Sequence, residues 1–115
     1  MKKIAIFAFN GDLMCFVHVL LNALEMHKKG WDVKLIIEGS ATKLIPDLGK
    51  EGAPYNELYT RTREAGLIDC VCKACASKMG VLAEVEAQEL PVCAELKGHP
   101  SISRYMDAGF EILTF

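Results

Sequence analysis

The sequence predicts one α/β domain, residues 1–115, folded as a three-layer sandwich around a mostly parallel sheet of four or five strands. Three observations carry this reading. Short apolar runs recur without the alternation of a half-solvated strand, as expected where both faces of a parallel strand are covered. Segments of helical period separate those runs, and strand–helix–strand order calls for crossover connections. The chain has 115 residues, 51% of them hydrophobic, which is material for one core and not two.

Lys3 to Phe9 is the first strand, ended by Asn10-Gly11-Asp12. Leu13 to Lys29 follows with helical period, and Gly30 supplies the C-terminal cap. Asp32 to Glu38 is the second strand, and Gly39-Ser40 opens a short helix near Ala41 to Leu48, weakened by Pro46. Pro54 to Ala65 reads as a helix with Tyr55, Leu58 and Tyr59 on one face, stopped by Gly66. Leu67 to Cys72 is the third strand, and Lys73 to Met79 a short helix closed by Gly80. Val81 to Leu96 holds a helical turn or two, then Leu90 to Cys93 as an edge strand or loop. Gly98-His99-Pro100 opens a last helix, Ser101 to Ala108, and Phe110 to Phe115 is the closing strand. Together these describe a flavodoxin-like sandwich.

Composition narrows the function. Thirteen basic against fifteen acidic residues give a formal net charge of -2, with no basic cluster beyond Lys2-Lys3 and Lys28-Lys29, so nucleic acid is not an expected partner. No phosphate-cradling glycine motif is present, and no cofactor is expected. The opening apolar run is too short for a signal peptide, and Leu13 to Met26 contains His18, Asn22 and Glu25, so no membrane segment is expected. The expected setting is the cytoplasm, where thiols stay reduced, and an odd count of five cysteines argues against a fully paired disulfide framework.

Open α/β sheets bind ligands outside the carboxyl ends of their strands. On that rule Cys15, His18, Glu38, Cys72, Cys75 and His99 are expected on one rim. Cys72 stands at a strand end immediately before a helix and beside Lys73, where the helix N-terminus favours thiolate over thiol. Its alternative is a buried core cysteine. Cys70 shares its face two residues deeper and is read as packing. Cys72-Lys-Ala-Cys75 is a C-x-x-C, a spacing used for redox and metal chemistry. Cys15 or Cys93 would complete four sulfur ligands with Cys70, Cys72 and Cys75, and His18 lies one helical turn from Cys15. Cys15, His18, Asn22, Glu25 and Lys29 also form one polar stripe, which reads equally as a solvated face. The remainder of that helix is apolar, implying a second covered side such as a subunit interface. Glu38 and His99 are the expected proton-handling groups beside the thiols.

With its opening strand and helix, its Ile36-Ile37-Glu38-Gly39 strand end, its Cys72 to Gly80 segment and its Ala108 to Phe115 ending, the chain resembles the DsrE/DsrF/TusD-like sulfur-relay proteins. In that family a cysteine at a strand end, eight residues before the glycine that closes the next short helix, carries sulfur as a persulfide. Cys72 and Gly80 match this spacing. The resemblance implies a cytoplasmic α/β sandwich assembled as dimers, trimers or hexamers, exchanging sulfur with donor and acceptor proteins. Cys70 and Cys75 depart from the plain carrier pattern by flanking the matching cysteine.

Two expectations follow. In the first, Cys72 accepts and donates sulfane sulfur, Cys75 resolves, and His99 or Glu38 manages protons. In the second, the protein is a metal-binding or thiol redox-sensing module using Cys70, Cys72, Cys75 and Cys15, with Cys15, His18, Cys72 and Cys75 as the candidate metal ligands.

Overall fold

The computed structural model describes residues 1–115. Five strands, β1 (Lys3–Ala8), β2 (Asp32–Ile37), β3 (Ile68–Cys72), β4 (Val92–Cys93) and β5 (Glu111–Thr114), form one sheet in the order β4-β3-β2-β1-β5. Every neighbouring pair is parallel. The helices are α1 (Leu13–Lys28), α2 (Ile45–Leu48), α3 (Asn56–Glu64), α4 (Lys73–Lys78), α5 (Leu82–Ala87) and α6 (Ile102–Asp107). A 3-10 segment, Gly39–Leu44, leads into α2, where the sequence suggests one helix; Pro46 sits in the first turn of α2, the position a proline tolerates. The other expected elements are present within two residues of their predicted ends.

The layers are unequal. Phe16, Val19, Leu20 and Ala23 of α1 pack with Ile4, Ile6, Leu35, Ile37 and Val71 of the sheet, and α2 to α5 add Ile45, Leu48, Tyr59, Ala76 and Val85 to the same core. The opposite face carries only α6 and the segment before it, over Ala5, Phe7, Ile36, Cys70, Tyr105 and Phe110. Tyr105 meets Phe7 and Phe110 edge-on, with ring centroids 5.4 and 6.2 Å apart. Burying α1 stabilises the domain chiefly through Phe16 and Leu20, each worth about 2 to 3 kcal/mol of transfer free energy. Asp12 starts that helix by accepting the N–H groups of Met14 and Cys15.

β3 contains an irregularity that decides which side its cysteines occupy. Leu35 pairs with Ile68 and Ile36 with Cys70, so Asp69 is an extra residue on β3, a β-bulge. Ile68 and Val71 face the α1 side, whereas Cys70 packs on the α6 side, and Cys72, two residues on, shares that side. Asp69 reaches Lys34 at 3.3 Å and accepts a hydrogen bond from the Tyr105 hydroxyl, to which Arg104 also donates at 2.9 Å.

Cys70 and Cys93 form a disulfide, which corrects the expectation that Cys70 is a packing thiol, that Cys93 is a spare ligand and that the thiols are all reduced. The reason is topological. β3 and β4 are adjacent, and the two Cα atoms lie 5.7 Å apart, inside the span a disulfide bridges. Cys15, Cys72 and Cys75 remain free. No helix is long and apolar enough to cross a membrane.

Candidate functional site

The carboxyl ends of β2 and β3 and the segment entering α6 meet at one point. Glu38, Cys72, Cys75 and His99 each bring a side-chain N, O or S atom there, and these four atoms lie within 4.8 Å of one another. Glu38 and Cys72 are buried, Cys75 is half-buried and His99 is exposed. Cys72 is the N-cap of α4, and its Sγ accepts the N–H of Cys75 at 3.3 Å. His99 Nδ1 lies 3.1 Å from Cys72 Sγ and 3.7 Å from Cys75 Sγ, one imidazole nitrogen facing both thiols.

A tight turn puts His99 there. Leu96 and His99 exchange backbone hydrogen bonds of 2.8 and 3.0 Å, and the two residues between them, Lys97 and Gly98, have φ of 49° and 93°. Two consecutive positive φ values are the mark of a type I′ turn. Gly98 is required for a second reason: its carbonyl accepts the N–H of Ala74, and a Cβ on it would meet Ala74 Cβ at 3.0 Å. Glu38 is fixed by β2, whose ladder extends to its N–H on Ala8 at 2.8 Å. The next residue, Gly39, turns at φ 55° against the Phe9 carbonyl. A shallow cavity of about 430 Å³, lined by residues including Phe9, Glu38, Leu96 and His99, opens beside the cluster.

The electrostatics differ from the sequence expectation in one respect. Burial pushes the Cys72 thiol up to about 12, aided by its hydrogen bond with the Cys75 side chain and by the charges of Cys75 and Glu38. The Cys75 N–H pulls the other way and loses. The α4 helix is only six residues long and Cys72 is 0% exposed, so desolvation outweighs the helix terminus. Lys73 is exposed and does not contribute. Cys72 therefore rests as a thiol, and its reaction calls for a proton acceptor at the sulfur. Burial, with the charge of Glu95, likewise raises the Glu38 carboxyl from 4.5 to about 7. Glu95 itself is held low by the Ser101 N–H, which donates to it at 3.0 Å, and it pairs with Arg104 at 2.9 Å.

Of the six residues expected on this rim, four come together and two do not. Cys15 and His18 belong to α1, which covers the other face of the sheet, so neither joins Cys72 and Cys75. The expected ligand set Cys15, His18, Cys72 and Cys75 therefore does not form. The module Cys70, Cys72, Cys75 and Cys15 fails too, since Cys70 is consumed in the disulfide. His18, Glu25 and Lys29 are exposed, so the polar stripe on α1 is a solvated face. Sequence reasoning missed Asp69, Arg104 and Tyr105, whose hydrogen bonds brace the disulfide: Tyr105 Oη lies 3.6 Å from Cys70 Sγ, and Arg104 donates to Cys93 Sγ at 3.6 Å. The available signal was Asp69 itself, a carboxylate interrupting an apolar strand.

No protein-family model matches the chain. Its fold is similar to that of a solved conserved protein of unknown function from Bacteroides thetaiotaomicron, BT1422, with TM-score 0.74 and 18% identity, covering 99% of this chain and 95% of that one. An uncharacterized protein of Archaeoglobus fulgidus is 47% identical over 58 residues, which are 50% of this chain and 93% of that protein. Uncharacterized protein MJ0733 of Methanocaldococcus jannaschii is 35% identical over 102 residues, 89% of this chain and 81% of that protein. The chain thus belongs to the same family as MJ0733, with an α/β fold that gathers two thiols, an imidazole and a carboxyl at the carboxyl ends of its strands.

Proposed function

We propose that the protein is a persulfide sulfur carrier, a sulfurtransferase-like relay component in which Cys72 holds sulfane sulfur. The observation that carries this reading is His99 Nδ1 at 3.1 Å from Cys72 Sγ with Cys75 on the same imidazole nitrogen. As the Cys72 sulfur attacks the outer sulfur of a donor persulfide, R–S–SH, His99 takes the thiol proton. The new S–S bond forms on Cys72, the donor S–S bond breaks, and R–S⁻ leaves to be protonated. The balance is R–S–SH plus Cys72–SH giving R–SH plus Cys72–S–SH. Delivery is the same exchange in reverse, with an acceptor thiol taking the terminal sulfur. Attack of Cys75 on Cys72 sulfur would instead release hydrosulfide and leave a Cys72–Cys75 disulfide, the resolving step. Burial of Cys72 suits a persulfide that must be kept from solvent reductants. The resemblance to DsrE/DsrF/TusD-like proteins supports the same reading, including a cytoplasmic setting, protein donors and acceptors, and self-association. Met14 and Leu21, 55% and 49% exposed on α1, offer apolar surface for that last feature.

Intact mass after exposure to polysulfide tests it. The wild type is expected to gain one sulfur atom that dithiothreitol removes, and Cys72→Ser to gain none. A Cys72→Ser protein that still takes up labile sulfur sinks the proposal.

A further inference from the structure

The four-residue cluster has the makings of a cation site. In a tetrahedral zinc site with metal–ligand bonds of about 2.0 to 2.3 Å, neighbouring ligand atoms stand about 3.3 to 3.8 Å apart. Cys72 Sγ to His99 Nδ1 is 3.1 Å and Cys75 Sγ to His99 Nδ1 is 3.7 Å, and the Glu38 oxygen falls within the same 4.8 Å set. Small side-chain shifts separate these atoms to coordination distances. The donor types are two thiols, an imidazole and a carboxyl, a soft-to-borderline set that suits zinc and disfavours magnesium or calcium.

Charge argues in the same direction. Three groups able to carry negative charge, Glu38, Cys72 and Cys75, converge here with His99 beside them and no lysine or arginine paired to them. The ion pairs of the molecule lie elsewhere, at Lys34–Asp69, Lys50–Asp47 and Arg104–Glu95. The sulfur of Cys72 is already oriented by a backbone N–H, as ligand sulfurs commonly are, and the positions of both Cys75 and His99 are set by backbone contacts between α4 and the Leu96–His99 turn. Half-buried Cys75 and exposed His99 give an ion access from solvent.

We propose that Glu38, Cys72, Cys75 and His99 bind one thiophilic divalent cation of the zinc class, and that the bound cation masks the Cys72 nucleophile. Binding forms two metal–sulfur bonds, and the two thiol protons leave to solvent, with no change of oxidation state. The consequence for sulfur transfer rests on the function proposed above; the site itself rests only on the four donors.

The test uses zinc alone on chelator-stripped full-length protein. Native mass spectrometry is expected to find one zinc per chain, and one equivalent of zinc to slow alkylation of Cys72 by iodoacetamide at least about tenfold. Chelator should restore the rate, magnesium should not mimic zinc, and Cys15, distant on α1, serves as the internal control whose rate stays constant. His99→Ala, at an exposed position, should weaken zinc binding at least about tenfold. Equal zinc affinity in wild type and His99→Ala, or Cys72 alkylation that ignores bound zinc, overturns the proposal. None of these readouts involves sulfane sulfur, so a failure here and a failure of polysulfide loading are told apart.

Discussion

Folding places the Glu38 carboxyl at 6% exposure, beside Cys72 and in the field of Glu95, and raises its pKa from 4.5 to about 7. A carboxyl shifted upward binds its proton more tightly folded than unfolded. Its contribution to stability is therefore whole below pH 4.5 and declines as pH rises through 7, where the unfolded chain ionises freely and the folded one must ionise a buried group. A shift of this size corresponds to about 3 kcal/mol, and partial relaxation of the side chain brings the expected cost to about 2 to 3 kcal/mol. Glu38→Gln removes the titration and keeps the shape. Urea unfolding of both proteins, with chelator and without reductant, should show the variant gaining on the wild type by about 2 kcal/mol between pH 4.5 and 8. Stability curves that run parallel over that range would refute the reasoning, because they would mean that Glu38 ionises in the folded protein as easily as in water.

Other perturbations have equally definite expectations. Cys70→Ser with Cys93→Ser should cost about 3 kcal/mol in urea unfolding, as befits a bridge across 23 residues, and dithiothreitol should then no longer affect stability. Tyr105→Phe removes the hydroxyl that donates to Asp69 and should cost about 1 to 2 kcal/mol by the same measurement. Phe16→Ala, at 1% exposure in the larger core, should cost about 3 to 5 kcal/mol. In metal-free protein the alkylation rate of Cys72 should still be climbing at pH 9, since burial pushes its thiol up to about 12. A plateau near pH 7 would indicate a preformed thiolate.

The parallel sheet was legible because Ile4 to Ala8 and Leu35 to Ile37 are continuous apolar runs and the helices between them carry clear stops such as Gly30 and Gly66. The short β4 was visible only as an edge strand or loop, because two residues of ladder leave almost no periodic signal. Glu38, Cys72, Cys75 and His99 were found by asking what lies past each strand end. Cys15 and His18 satisfy the same rule in sequence yet fail it in space, since the rule fixes an end of the sheet and not a face. The acidity of Cys72 was misjudged because local sequence reveals the helix terminus but not the depth of burial. The Cys70–Cys93 bridge depends on which strands are neighbours, and strand order is not written in spacing.

Asp69, the extra residue in β3, has a consequence for comparing sequences. Side chains on a strand alternate, and one inserted residue would reverse the parity of everything after it unless a bulge takes it up. With Asp69 present, Cys72 emerges on the α6 side and meets His99. Deleting that residue would leave Ile68 opposite Leu35 and Cys70 opposite Ile36, so Cys72 would stay on the α6 side; drawing Asp69 into the regular ladder instead would turn Cys72 among α1 to α5, away from His99. A homologous chain can therefore be one residue shorter in this strand and still present its thiol to the same face. Whether the extra residue bulges or pairs, and not the length of the strand, decides the face of the thiol.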